Sequence, residues 1–235
     1  MIPIAIHEKA VQNTFYKIQR EGMSSIAVTS AHRHEGVTTF AYALSRRAAT
    51  GGMRVLLIDL NFMHPGQSQS LALEHQNWSP SGDIKEDKIQ SISNTNLSIL
   101  SAPHNVKDTW PFQDQKKIHQ MLNRLSTEYD LVIADMPSIL EPEHEIQVEI
   151  LCAAFDSTLI MALSGKTIET EIIQMKKILD IAEVNVLGVV MNDQFTPTLV
   201  EELKRQLDKF ILRFPRIIVF LKCKIEQNAF LNQSL

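Results

Sequence analysis

Residues 24–65 read SSIAVTSAHRHEGVTTFAYALSRRAATGGMRVLLIDLNFMHP, and the rest of the chain is arranged around them. An apolar, β-prone run (Ile26, Ala27, Val28) leads into a polar loop, then a helix that stops at Gly51 and Gly52, then a second apolar run, Val55, Leu56, Leu57 and Ile58. Strand, loop, helix, strand is a βαβ unit. Its loop stands where backbone N–H groups and a helix N-terminus can cradle phosphate.

Laid against the P-loop pattern G-x-x-x-x-G-K-[ST], residues 31–38 give Ala31, His32, Arg33, His34, Glu35, Gly36, Val37 and Thr38. Gly36 and Thr38 hold the positions of close backbone approach and magnesium ligation, whereas Val37 stands where a lysine should reach the β- and γ-phosphates. A hydrogen bond to a charged group contributes about 1.5–3 kcal/mol, so its loss weakens ATP binding roughly ten- to a hundredfold. Hydrolysis suffers more, since one missing preorganised donor costs about 10²–10³ in rate. Arg33, His32 or His34 could supply a cation from the same loop, and Arg33 suits phosphate best because it is always charged and binds bidentately. A solvated loop arginine explains Arg33 equally well.

Taken together, three stretches resemble the motifs of the bacterial tyrosine kinases. SAHRHEGVTTF is similar to their S-x-x-P-G-E-G-K-S-T loop, VLLIDLNFMHP to V-L-L-I-D-A-D-L-R-R-P, and DLVIADMP at 130–137 to an apolar run ending D-T-P-P. The similarity spans about residues 12–200. It implies a doubly wound, mostly parallel α/β sheet with helices on both faces, of the P-loop NTPase kind shared with chromosome-partitioning and division-site ATPases. A single domain over 1–235 is expected, with an N-terminal helix region at 1–22 and a C-terminal helical extension at 197–235.

The same resemblance implies the site. Asp59 and Asp135 are the expected catalytic carboxylates and, with Thr38, the expected magnesium ligands. Arg33, Glu35, Gly36, Val37, Thr38, Thr39 and Asn192 are expected along the nucleotide, ATP or ADP with Mg²⁺, whose binding Val37 and Asn61 weaken. Asn61 replaces a second aspartate, keeping an acceptor oxygen but losing the charge. Family members serve polysaccharide synthesis and export, which implies docking on an inner-membrane polysaccharide co-polymerase of the chain-length regulator type. Two features depart from the family. Its E-x-x-R-x-x-R ring motif aligns with Asn13, Tyr16 and Gln19, so a ring-forming homo-oligomer is in doubt, and a surface helix over 8–20 with Phe15 and Ile18 packed inward is the plainer reading. The usual C-terminal tyrosine cluster is also missing, since the tyrosines are Tyr16, Tyr42 and Tyr129.

Bulk properties fit. At 235 residues the chain can bury a sizeable core, and a net charge of −4 argues against a nucleic-acid polycation. Cys152 and Cys223 show no metal spacing, which favours a reducing compartment and a cytoplasmic location. Neither a signal peptide nor a membrane-spanning run is expected.

Further along, a short helix near 67–75 and a variable excursion bordering the nucleotide site should fill the polar stretch 61–97. Strands are expected at 97–100, 131–134, 158–163 and 184–190, with helices on Ile118, Met121, Leu122 and Leu125 and over 167–181. Gly165, Lys166 and Thr167 imitate a phosphate loop, but residues 160–164 leave no room to wrap one, so Thr167 is expected as a helix N-cap. His144 and Glu145 begin H-E-x-x-H, yet Val148 occupies the second histidine position. Finally, residues 203–224 carry seven basic side chains against Asp208 alone, interleaved with an apolar run at 217–221. Such a segment suits an anionic membrane surface at the inner face, or else a last helix folded onto the domain.

Overall fold

The apolar runs alternate in a way that needs cover on both sides. In β1 (Ser25–Ser30), Ile26 and Val28 face one layer and Ala27 the other; in β2 (Val55–Asp59), Val55 and Leu57 oppose Leu56 and Ile58; in β5 (Leu131–Asp135), Leu131 and Ile133 oppose Val132 and Ala134. All are buried, and strands buried on both faces belong in a parallel sheet sandwiched by helices. The computed structural model describes residues 8–193 apart from 63, 72, 74–76, 83, 85, 104–109 and 142–145. With β3 (Ile89–Ser91), β4 (Leu97–Leu100), β6 (Ser157–Leu163) and β7 (Val186–Asn192) the strands form one seven-stranded sheet in the order β3-β4-β2-β5-β1-β6-β7. Every neighbouring pair is parallel except β3 with β4.

One face is covered by α1 (Lys9–Glu21) and α2 (Val37–Thr50), the other by α5 (Gln115–Leu125), α6 (Val148–Cys152) and α7 (Glu169–Ile181). As expected, Phe15 and Ile18 of α1 are buried, as are Ile118, Met121, Leu122 and Leu125 of α5. Arg47 of α2 lies over the Phe15 ring at 4.4 Å and donates to Gln12, while Lys17 donates to the Leu187 carbonyl at 2.6 Å. The first helix is thus pinned to α2 and to the sheet edge, leaving Tyr16 exposed.

Some boundaries move. The helix after β2 is α3 (Gly66–Leu71), shorter than expected, and α7 begins at Glu169 with Ile168 rather than Thr167 at its N-cap. Thr167 is spent otherwise: its hydroxyl accepts from Leu163 N–H and donates to Glu35. Strand β3, α6 and α4 (Trp110–Gln113) are too short to carry a readable period. Within the excursion, Gly82 N–H closes the turn on Ser79, and the Trp78 indole N–H donates to Ser101 O at 2.8 Å with its ring edge-on to Phe112. Cys152 is buried, which pushes its thiol up to about 12 and leaves it unreactive.

The chain divides after Asn192. The basic and apolar segment at 203–224, with Cys223, lies outside the described residues, as do His144 and Glu145. Among the described residues no helix is long and apolar enough to cross a membrane.

Candidate nucleotide site

The carboxyl ends of β1, β2 and β5 lie side by side, where doubly wound sheets place ligands. From β1 the chain passes through residues 31–36 into α2, with Gly36 at the N-cap in the left-handed region (φ 101°). No side chain caps this helix start and no acid lies in its first turn. Its leading N–H groups therefore remain available to an anion.

Asp59 and Asp135 end neighbouring strands in register, both fully buried. Asp59 accepts from the backbone N–H groups of Asn61 at 3.1 Å and Gln67 at 3.0 Å. Asp135 accepts on Oδ2 from the Gln67 side-chain amide at 3.0 Å and is within hydrogen-bonding reach of the Thr38 hydroxyl, while its Oδ1 has no partner. Burial pushes the Asp135 pKa up to about 7 against the lowering effect of the Thr38 and Gln67 hydrogen bonds. A cation beside it would favour its charged form.

Thr38, Asp59 and Asp135, the expected cation set, are therefore brought together. Among the described residues no group of three or more His, Cys, Asp or Glu is placed to hold a metal ion. Two carboxylates and a hydroxyl instead match the way Mg²⁺ is shared between a few protein oxygens and phosphate. The residues present fit that ion. Asn61 is used locally: its side-chain oxygen accepts from His64 N–H at 3.2 Å, closing the turn that leads to α3.

The remaining expected residues surround the loop. Glu35 is buried, accepting from His32 N–H at 3.1 Å and from Thr167, so it ties the loop to the turn after β6. Asn192 donates to the Glu35 carbonyl at 3.0 Å, and a Cβ on Gly36 would lie 2.5 Å from that amide nitrogen. Val37 packs against the apolar cluster under α1 and α2, while Thr38 and Thr39 are half-buried. Arg33 lies with Glu141 and His64: its backbone N–H donates to Glu141 at 3.1 Å and its guanidinium meets both side chains. A cavity of about 280 Å³ lined by Tyr42, Arg46, Ile92 and Asn94 involves neither the loop nor the carboxylates.

Sequence reasoning missed three participants: Gln67, Glu141 and Glu171. His32 Nδ1 faces Glu141 and Nε2 faces Glu171, each at 3.0 Å. Burial pulls the His32 pKa down, but the hydrogen bonds and charges of Glu171 and Glu141 outweigh it and the value is raised above 6.5. Arg33 and Glu35 complete the charged surroundings. The raised value fixes the sign of linkage: the contribution is complete below pH 6.5 and is lost as pH rises through the folded-state pKa. The stability difference between the native protein and His32→Gln, followed by urea unfolding, should shrink steadily above pH 6.5. A difference that is flat or grows over that range would show that the imidazolium does not clamp the loop.

No family model matches the chain. Over 182 residues it is 28% identical to the tyrosine-protein kinase YwqD of Bacillus subtilis (strain 168), covering 76% of this chain and 75% of that protein. The fold is similar to the kinase domain of the Escherichia coli tyrosine kinase ETK, with a TM-score of 0.67 and 18% identity over 77% of this chain and 71% of that one. It is also similar to the septum site-determining protein MinD of Pyrococcus horikoshii OT3 complexed with Mg-ADP, with a TM-score of 0.58 and 21% identity over 72% of this chain and 70% of that one. At such identities the two structural likenesses speak for the fold.

Proposed function

Because this chain is a relative of the bacterial tyrosine kinases, on the fold they share with the division-site ATPases, we propose that it binds ADP or ATP with Mg²⁺ but turns ATP over poorly. In this reading it serves as a regulatory or docking module of a polysaccharide assembly system, on the cytoplasmic side of an inner-membrane co-polymerase. One observation carries the proposal. Asp59 and Asp135, on two neighbouring strand ends, stand with Thr38 of the first turn of α2, while Val37, at the lysine position, is turned to the apolar cluster.

The residues divide the work accordingly. The α2 N-terminus and the Gly36 backbone would receive phosphate; Thr38, Asp59 and Asp135 would hold the cation, which supplies charge neutralisation to the phosphates. With no lysine at position 37, and Arg33 engaged by Glu141 and His64, stabilisation of charge developing on a transferred phosphoryl group is weak. Tyr16, exposed on α1, and the partly buried Tyr42 and Tyr129 offer no tyrosine cluster as acceptor.

The test is nucleotide binding and turnover on the purified full chain. Fluorescent ADP should bind in the presence of Mg²⁺, ATP hydrolysis should stay near background, and phosphotyrosine should be absent when the protein is co-expressed with a candidate co-polymerase. The intact carboxylate pair favours a second reading, a working kinase or ATPase of the same system. Robust turnover abolished by Asp59→Ala would establish it in place of the first.

A further inference from the structure

One residue hydrogen-bonds to all three of the residues expected around the cation, through its backbone N–H and its side-chain amide together, and it is Gln67. Its backbone N–H donates to Asp59 Oδ2 at 3.0 Å, and its amide Nε2 donates to Asp135 Oδ2 at 3.0 Å and to the Thr38 carbonyl at 2.8 Å. The residue is fully buried. Such a connection follows from the chain path: Pro65 and Gly66 turn α3 against α2, so closely that a Cβ on Gly66 would lie 2.7 Å from the Thr38 side chain. The missing Cβ is what lets Gln67 reach in.

Two oxygens in this cluster have no partner, Asp135 Oδ1 and Gln67 Oε1. A buried acceptor without a donor is costly, and a pair of them beside a second carboxylate asks for a cation or its bound water. By holding Oδ2, the amide leaves Oδ1 as the oxygen Asp135 offers. We propose that Gln67 is the positioning residue of the divalent-cation site, orienting Asp135 and Asp59 together and presenting its own Oε1 to the ion's water shell. Partners of this kind behind metal ligands typically change affinity about 10–100-fold when removed. The inference rests on the nucleotide-site reading for its ligand class but not on hydrolysis.

The experiment uses the full chain and Mn²⁺ alone, measured by electron paramagnetic resonance and by thermal shift. Gln67→Met keeps the shape and removes the amide; it should bind Mn²⁺ about 10–100-fold more weakly than the native protein. Gln67→Glu, which adds a ligand charge, should retain or exceed native affinity while lowering the cation-free melting temperature. A purely structural Gln67 would lower both melting temperatures and leave Mn²⁺ affinity unchanged in the folded fraction; that result overturns the proposal, as does tighter binding by Gln67→Met. Should Gln67→Met not fold, Mn²⁺ must broaden the Gln67 side-chain amide resonance of the native protein, and an unbroadened signal at saturation overturns the proposal. Fluorescent ADP separates this from the broader reading. If ADP binds but Mn²⁺ does not, the role of Gln67 fails and nucleotide binding stands; if Mn²⁺ behaves as expected and ADP never binds, the reverse holds.

Discussion

Val37→Lys is expected to tighten ADP and ATP binding roughly ten- to a hundredfold, the equivalent of one charge-assisted hydrogen bond of about 1.5–3 kcal/mol. Position 37 begins α2, directly after the left-handed Gly36, and the helix start carries neither a side-chain cap nor an acid. A lysine there adds its ammonium to N–H groups already available to phosphate. The substitution removes a partly buried valine from the cluster under α1 and α2, but a lysine stem can cover much of the same surface. Stability should therefore change by less than about 1 kcal/mol. Titration of fluorescent ADP in Mg²⁺ is the measurement. Unchanged affinity in a folded variant would mean that the site does not receive phosphate at the α2 start, and the nucleotide reading would fall with it.

The second large effect is expected at Gly36. Gly36→Ala places a Cβ 2.5 Å from Asn192 Nδ2 and forces alanine to φ 101°. Left-handed strain costs about 1–3 kcal/mol. Displacing Asn192 adds the loss of its hydrogen bond to the Glu35 carbonyl, about 0.5–1.5 kcal/mol. Together these predict about 1.5–4.5 kcal/mol of destabilisation in urea. Gly52→Ala is the internal control, since Gly52 also has positive φ (91°) but nothing within 4 Å of its Cβ. It should lose only the strain contribution. Equal losses at both positions would show that the contact between β7 and the loop contributes nothing.

Much of the fold was legible because its signals are local. Four buried strands announce themselves as continuous apolar runs at 26–28, 55–58, 131–134 and 159–163, and α5 as an apolar stripe, since burial on both faces or on one stripe leaves a periodic imprint. Parallel pairing then follows from the helices that separate most of the strands. Strand β3 leaves no such imprint: three residues with one apolar member hold their place only because β4 lends an antiparallel partner. Helix α6 likewise depends on the core that Val148, Leu151 and Cys152 fill.

The site divides in the same way. Asp59, Asp135, Gly36 and Thr38 could be named from the sequence because strand ends and the loop pattern fix their positions along the chain. What α3 and the turns contribute could not, because a polar residue gains meaning only from what faces it. Gln67 is one glutamine in a polar stretch until Gly66 allows it between Thr38 and two carboxylates. Glu141 and Glu171, 30 positions apart in sequence, meet on one imidazole. Thr167 suits an N-cap by type, but the Leu163 N–H and the buried Glu35 draw its hydroxyl away from the helix start. The sequence alone determined which atoms are available; only the tertiary structure decided which buried donors and acceptors satisfy one another, because hydrogen-bond partners far apart along the chain carry no period to read.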